Sequence, residues 1–136
     1  MIHSGVPIKI GSKAAAGIKQ GMPVSIKDVS GVDTLVPYTS TDNKFIGVAL
    51  EDNYEFDSMV EGSNAPTVPS VVTNGCYVQA IAGEPLAAGD LVYPIENVGF
   101  KKAAAAQIPQ GIVLKGAKTA NDYAIILLTI TNDKVS

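Results

Sequence analysis

Few residues of this 136-residue chain have the types and spacing that chemistry needs. His3 is the one histidine and Cys76 the one cysteine, and no motif sets a serine or cysteine nucleophile beside a base. His3 therefore reads as non-catalytic. Cys76 lies in an apolar run after Asn74-Gly75 and reads as a small buried hydrophobe rather than a reactive thiol. A single cysteine excludes an internal disulfide, and a lone Cys and a distant His do not make a zinc site. Glu51, Asp52, Glu55 and Asp57 gather enough carboxylate for a hard cation but lack the spacing and turn glycine of a calcium loop, which leaves a solvated acidic loop. Neither "AAAGIKQG" nor "GIVLKG" carries the Gly-Lys-Ser/Thr of a phosphate cradle. No catalytic, cofactor-binding or metal-binding residue is expected, and the chain does not read as an enzyme.

The elements that would position such residues are strands. Period-two runs, broken by Gly, Pro and Asn, occupy 22–27, 34–38, 45–50, 71–82, 91–95, 111–114 and 123–131, which predicts an all-β protein: a compact β-barrel or β-sandwich of short strands. Asn74-Gly75 sits between β-formers and predicts a two-residue hairpin turn. The last run is continuously apolar from Ala124 to Leu128, which predicts a central strand buried on both faces. The alanine runs 14–16 and 103–106 are too short for more than one helical turn each. At the start, Ile2, Val6, Ile8 and Ile10 alternate with polar or turn residues around Pro7, the pattern of an edge strand or extended arm over residues 1–10. Burying four such side chains roughly cancels the entropy of ordering ten residues, so the arm is expected to be mobile in the free domain. Residues 11–136 form the single β domain, with a surface excursion at 51–70.

Only 17% of the residues are charged and the net charge is −3. Lys101-Lys102 is the only basic doublet, so there is no electrostatic footprint for nucleic acid. No apolar run approaches the ~20 residues that span a bilayer as a helix, and no basic segment followed by an apolar run opens the chain, so a soluble protein without membrane contact is expected. Low charge in a soluble β-protein predicts that a partner covers part of its surface.

The chain also echoes itself. "GMPVSI" from Gly21 leads to "GVAL" from Gly47, and "GDLVYPI" from Gly89 leads to "GIVL" from Gly111. Each half has a glycine, a β-run, a turn-rich span and a glycine before an apolar triplet, which predicts two similar β-units, each with one glycine at a tight turn and one at a bulge or close backbone approach. Two quasi-repeated β-units also describe biotinyl and lipoyl carrier domains, in which a lysine on an exposed hairpin is modified. Lys115 in "VLKGAK" is the candidate for that alternative, although the methionines or acidic neighbour that flank such a lysine are absent.

The order "AAAGIKQGMPV", "IGVAL", "NGCYVQAIAGEPLAAGDLVYP", "QGIVL" and a terminal apolar strand, across about residues 11–131, resembles the decoration or cement proteins of tailed bacteriophages. The resemblance implies a β-tulip-like fold with an extended N-terminal arm and a structural role on the virion. It implies a homo-oligomer, commonly a trimer, that is made in the bacterial host cytoplasm, binds the major capsid protein on the outer surface of the head and stabilises contacts between capsid subunits. The candidate capsid or subunit interface comprises Ile2, Val6, Ile8 and Ile10 of the arm with Leu91, Val92 and Ile95 of the second unit.

Overall fold

The computed structural model describes residues 2–40, 44–52, 68–96 and 98–131. The expected excursion 51–70 falls largely outside that set. Among the described residues there is no helix, and the alanine runs form a short strand and turns. Eleven strands make two sheets that do not close into a barrel, which removes the barrel alternative. The first contains β1 (Ile8–Lys9), β2 (Lys13–Ala14), β3 (Pro23–Val29), β4 (Val32–Pro37), β5 (Phe45–Ala49) and β6 (Ser70–Val72) in the order β1-β6-β5-β3-β4-β2. The second contains β7 (Tyr77–Ile81), β8 (Leu91–Pro94), β9 (Phe100–Lys102), β10 (Gly111–Lys115) and β11 (Tyr123–Leu128) in the order β7-β11-β10-β8-β9.

The two orders are one arrangement used twice, and the register fixes the correspondence residue by residue. Val24 lies opposite Pro37 and Gly47, as Val92 lies opposite Lys102 and Gly111. Ala14 runs parallel to Leu35 on β4, and Ala82 bridges in parallel to Phe100 on β9. The Gly21 amide donates to the Ala49 carbonyl at 2.8 Å and the Ala49 amide to Met22 at 3.0 Å; Gly89, Val113 and Asp90 repeat that pair at 2.8 and 2.9 Å. The four glycines of the sequence echo thus occupy equivalent places. Gly21 and Gly89 have positive φ, of 84° and 91°, at the turns that deliver β3 and β8. At Gly47 a Cβ would collide with the Val72 carbonyl, and at Gly111 it would press on the Ile126 side chain, so β6 and β11 pack close only because glycine stands opposite them.

Two hydrophobic clusters follow from the duplication. In the smaller one Ala14, Ile18, Val24, Leu35, Ala49 and Val71 line one face of the first sheet beneath the chain's own segment 10–18. Their counterparts Ala82, Leu86, Val92, Phe100, Val113 and Ile126 all belong to the larger cluster. There they also meet the other face of the first sheet, through Phe45, Val48 and Val72, with the Phe45 and Phe100 rings edge-on at 5.7 Å. The first sheet is therefore buried on both faces. The second is buried on one.

Several expectations are corrected here. Asn74-Gly75 is a turn, with Gly75 at φ 87°, but it joins no hairpin: the run 71–82 divides into β6 of the first sheet and β7 of the second. The Asn74 carboxamide oxygen instead accepts from the Ile130 amide at 2.7 Å, and the Gly75 amide donates to Leu128 at 2.9 Å. The two-residue hairpin of this fold is Ser30-Gly31 between β3 and β4, with φ of 52° and 83°, the paired positive angles of a type I′ turn. Ser-Gly is a weaker signal than Asn-Gly, and the flanking Asp28 and Asp33 hid the strand ends. β11 is not buried on both faces: Ala124, Ile126 and Leu128 are buried, Ile125 and Leu127 are half-buried and Tyr123 is exposed. Residues 129–131 lie beyond its end.

The arm is laid along both sheets rather than standing free. Residues 2–4 border β7, where the Gln79 amide donates to the Ile2 carbonyl and the Ser4 amide to Tyr77, each at 2.9 Å, while β1 pairs with β6 through Ile8 opposite Val71. Side chains add to this, since Gln79 Oε1 accepts from the Ile2 amide and Ser4 Oγ from the Tyr77 amide, both at 2.9 Å. Weighing apolar burial against chain entropy omitted these main-chain bonds, which satisfy the open edges of β6 and β7.

Candidate interaction surface

The groups with chemical potential are used structurally. His3 bridges to Val78 at the edge of β7. Cys76 is half-buried against the larger cluster, and the arm crosses it so closely that a Cβ at Gly5 would overlap its Sγ. Asp52 accepts from the Gln20 amide at 2.6 Å and Glu51 from the Ser70 amide at 3.1 Å, so both anchor main chain; Glu55 and Asp57 lie outside the described residues. Among the described residues no group of three or more His, Cys, Asp or Glu side chains is placed to hold a metal ion. Lys115 ends β10 in register with Ile125, inside the ladder rather than at a hairpin tip. A cleft of about 470 Å³ beside it, lined by Leu86, Lys102, Ala117 and Lys118 among others, offers ammonium groups but no acid or nucleophile.

One carboxylate is tuned by its surroundings. Glu96, just after β8, accepts from Ser40 Oγ at 2.6 Å and from the Ser40 amide at 2.8 Å, and these bonds hold its pKa below the ordinary 4.5. Ser40 follows β4, so the contact ties the first β-unit to the second.

What remains is apolar surface. Alternation along β11 and its neighbours sends Tyr77, Leu127, Ile112 and Leu91 to the face of the second sheet that points away from the core, and the register places them in one row across four strands: Tyr77 opposite Leu127, Leu127 opposite Ile112, Ile112 opposite Leu91. Tyr77 is 38% and Leu91 49% exposed, while Leu114 at 49% and Tyr123 at 44% extend the face. No buried cluster includes this row.

The residues singled out from the sequence divide sharply. Leu91 is in the row. Val92, its neighbour, points the other way, is fully buried in the larger cluster and can contact no partner. Ile95 is half-buried, its Cδ1 lying over Gly83. Ile10 is half-buried against the smaller cluster, whereas Ile2, Val6 and Ile8 are exposed, Val6 at 88%. Sequence reasoning missed Tyr77, Ile112 and Leu127. Their signal was the alternation within 71–82 and 123–131, masked in the latter by apolar residues on both parities.

Comparison with solved structures places the fold beside the crystal structure of the head fiber gp8.5 N base in bacteriophage phi29, with a TM-score of 0.65 and 11% identity over 94% of this chain and 100% of that one. A search of curated proteins found no match. The model of the family described as structural cement protein (E217 gp24/Pam3 gp6) matches residues 3–129. With nearly the whole of both β-units inside that match, the chain belongs to the structural cement protein family of phages.

Proposed function

We propose that the protein attaches to the outer surface of a phage head and stabilises contacts between major capsid subunits, acting as a homo-oligomer such as a trimer. Membership of the cement family carries this reading. A chemically inert duplicated scaffold suits it: cementing needs a rigid body, exposed apolar contacts and no turnover. The exposed side chains Ile2, Val6 and Ile8 of the arm, with Leu91, are the surfaces offered to the shell. Synthesis in the bacterial host cytoplasm and addition to assembled heads complete the proposal.

Heads assembled without the protein, then supplied with it and pelleted, provide the test. Saturable co-sedimentation is expected, together with a higher temperature of head rupture. Protein that stays in the supernatant at every concentration, with heads of unchanged stability, overturns the reading.

A further inference from the structure

The duplication indicates what covers the exposed row. Because the registers coincide, Leu91, Ile112 and Leu127 of the second sheet are the counterparts of Pro23, Val48 and Val72 of the first. In the first sheet those three are buried, Val48 completely, on the face that packs against the second β-unit. The same row of the same arrangement is therefore a docking face inside the molecule and an open face outside it.

The substitutions between the copies run opposite to what a water-facing sheet requires. Pro, Val and Val become the larger Leu, Ile and Leu, and the next row changes Lys9 and Ser70 to Gln79 and Ile125. A copy that had lost its partner would be expected to gain charge on this face. Here it gains apolar volume and loses a lysine.

We propose that the row Tyr77-Leu127-Ile112-Leu91 is the contact by which a second copy of this chain docks, closing a symmetric oligomer. The surface seen to cover such a row within this molecule is another unit of the same fold, and a second copy supplies such a unit at equal concentration. The internal contact cannot simply repeat head to tail, because the face of the first unit that would receive the row is already closed by Ile10, Ala14 and Ile18 of segment 10–18. That cap opposes open stacking and leaves contacts that close on themselves. The inference concerns the free protein and stands apart from attachment to heads.

Sedimentation velocity and light scattering of the purified chain, without heads, test it across the micromolar range. A particle of an integral multiple of the chain mass is expected. Leu91→Lys and Tyr77→Lys, both at well-exposed positions, should weaken association about tenfold or more. Val6→Lys and Val29→Lys, equally apolar and exposed but off the row, should leave it unchanged. As a measurement that tolerates a poorly folding lysine variant, Leu91→Cys in a Cys76→Ser background should cross-link between chains with a short bismaleimide. A chain that remains monomeric at every concentration, or an oligomer that neither row substitution weakens and Leu91→Cys does not cross-link, overturns the proposal. A monomer that loses head binding on Leu91→Lys overturns it too, and assigns the face to the capsid shell.

Discussion

The two sheets share an order and a register yet live in different surroundings. The first is a middle layer, with segment 10–18 on one side and the second β-unit on the other, while the second is an outer layer whose far face carries a row of large apolar side chains. A duplicated strand arrangement thus fixes where side chains point but not whether a side is dry. In the first sheet the chain itself decides that. In the second, the decision passes to whatever docks.

The glycine pair can break this comparison with the largest effect. At Gly47 the obstacle to a Cβ is the Val72 backbone, which cannot yield, whereas at Gly111 the nearest atom is the Ile126 Cγ2 methyl at 2.6 Å, which can. Gly47→Ala should cost about 3 kcal/mol or more and Gly111→Ala about 1 kcal/mol, read from urea denaturation midpoints. Equal losses would mean that the middle layer is no more constrained than the outer one.

Removal of residues 1–10 should have an intermediate effect. It takes away β1, the border on β7 and the Ile10 contact, uncovering an edge of each sheet. With several net hydrogen bonds worth ~1 kcal/mol each, partly offset by relief of chain entropy, the loss should be about 2 kcal/mol in a thermal scan. An unchanged melting curve would restore the free arm that the sequence suggested.

The smallest effect concerns the link between the copies. Glu96 has a folded-state pKa depressed by its bonds from Ser40, so its contribution is present above its ordinary value of 4.5 and fades as pH falls through the lower folded-state value. Glu96 is solvent-exposed, and Glu96→Gln should lower the melting temperature only slightly at neutral pH. The gap between variant and parent should close below about pH 4. A gap that persists into acid would show that the Ser40 contact does not depend on the charge of Glu96.

Period-two runs, turn glycines and the two Gly-led echoes sufficed, without coordinates, for an all-β duplicated scaffold, because strand alternation and glycine's φ freedom are local properties that residues carry with them. The scattered His, Cys and carboxylates likewise predicted no catalytic group. Pairing, however, is a contest between distant segments. Residues 70–72 and 77–81 are separated by one turn, yet they joined different sheets because β5 and β11 offered each of them a longer apolar face than they offered one another. The arm was settled by open strand edges that exist only once both sheets have formed. Leu91 and Val92 are adjacent and similar in type, and only the stacking of one sheet on the other made the second core and left the first at the surface.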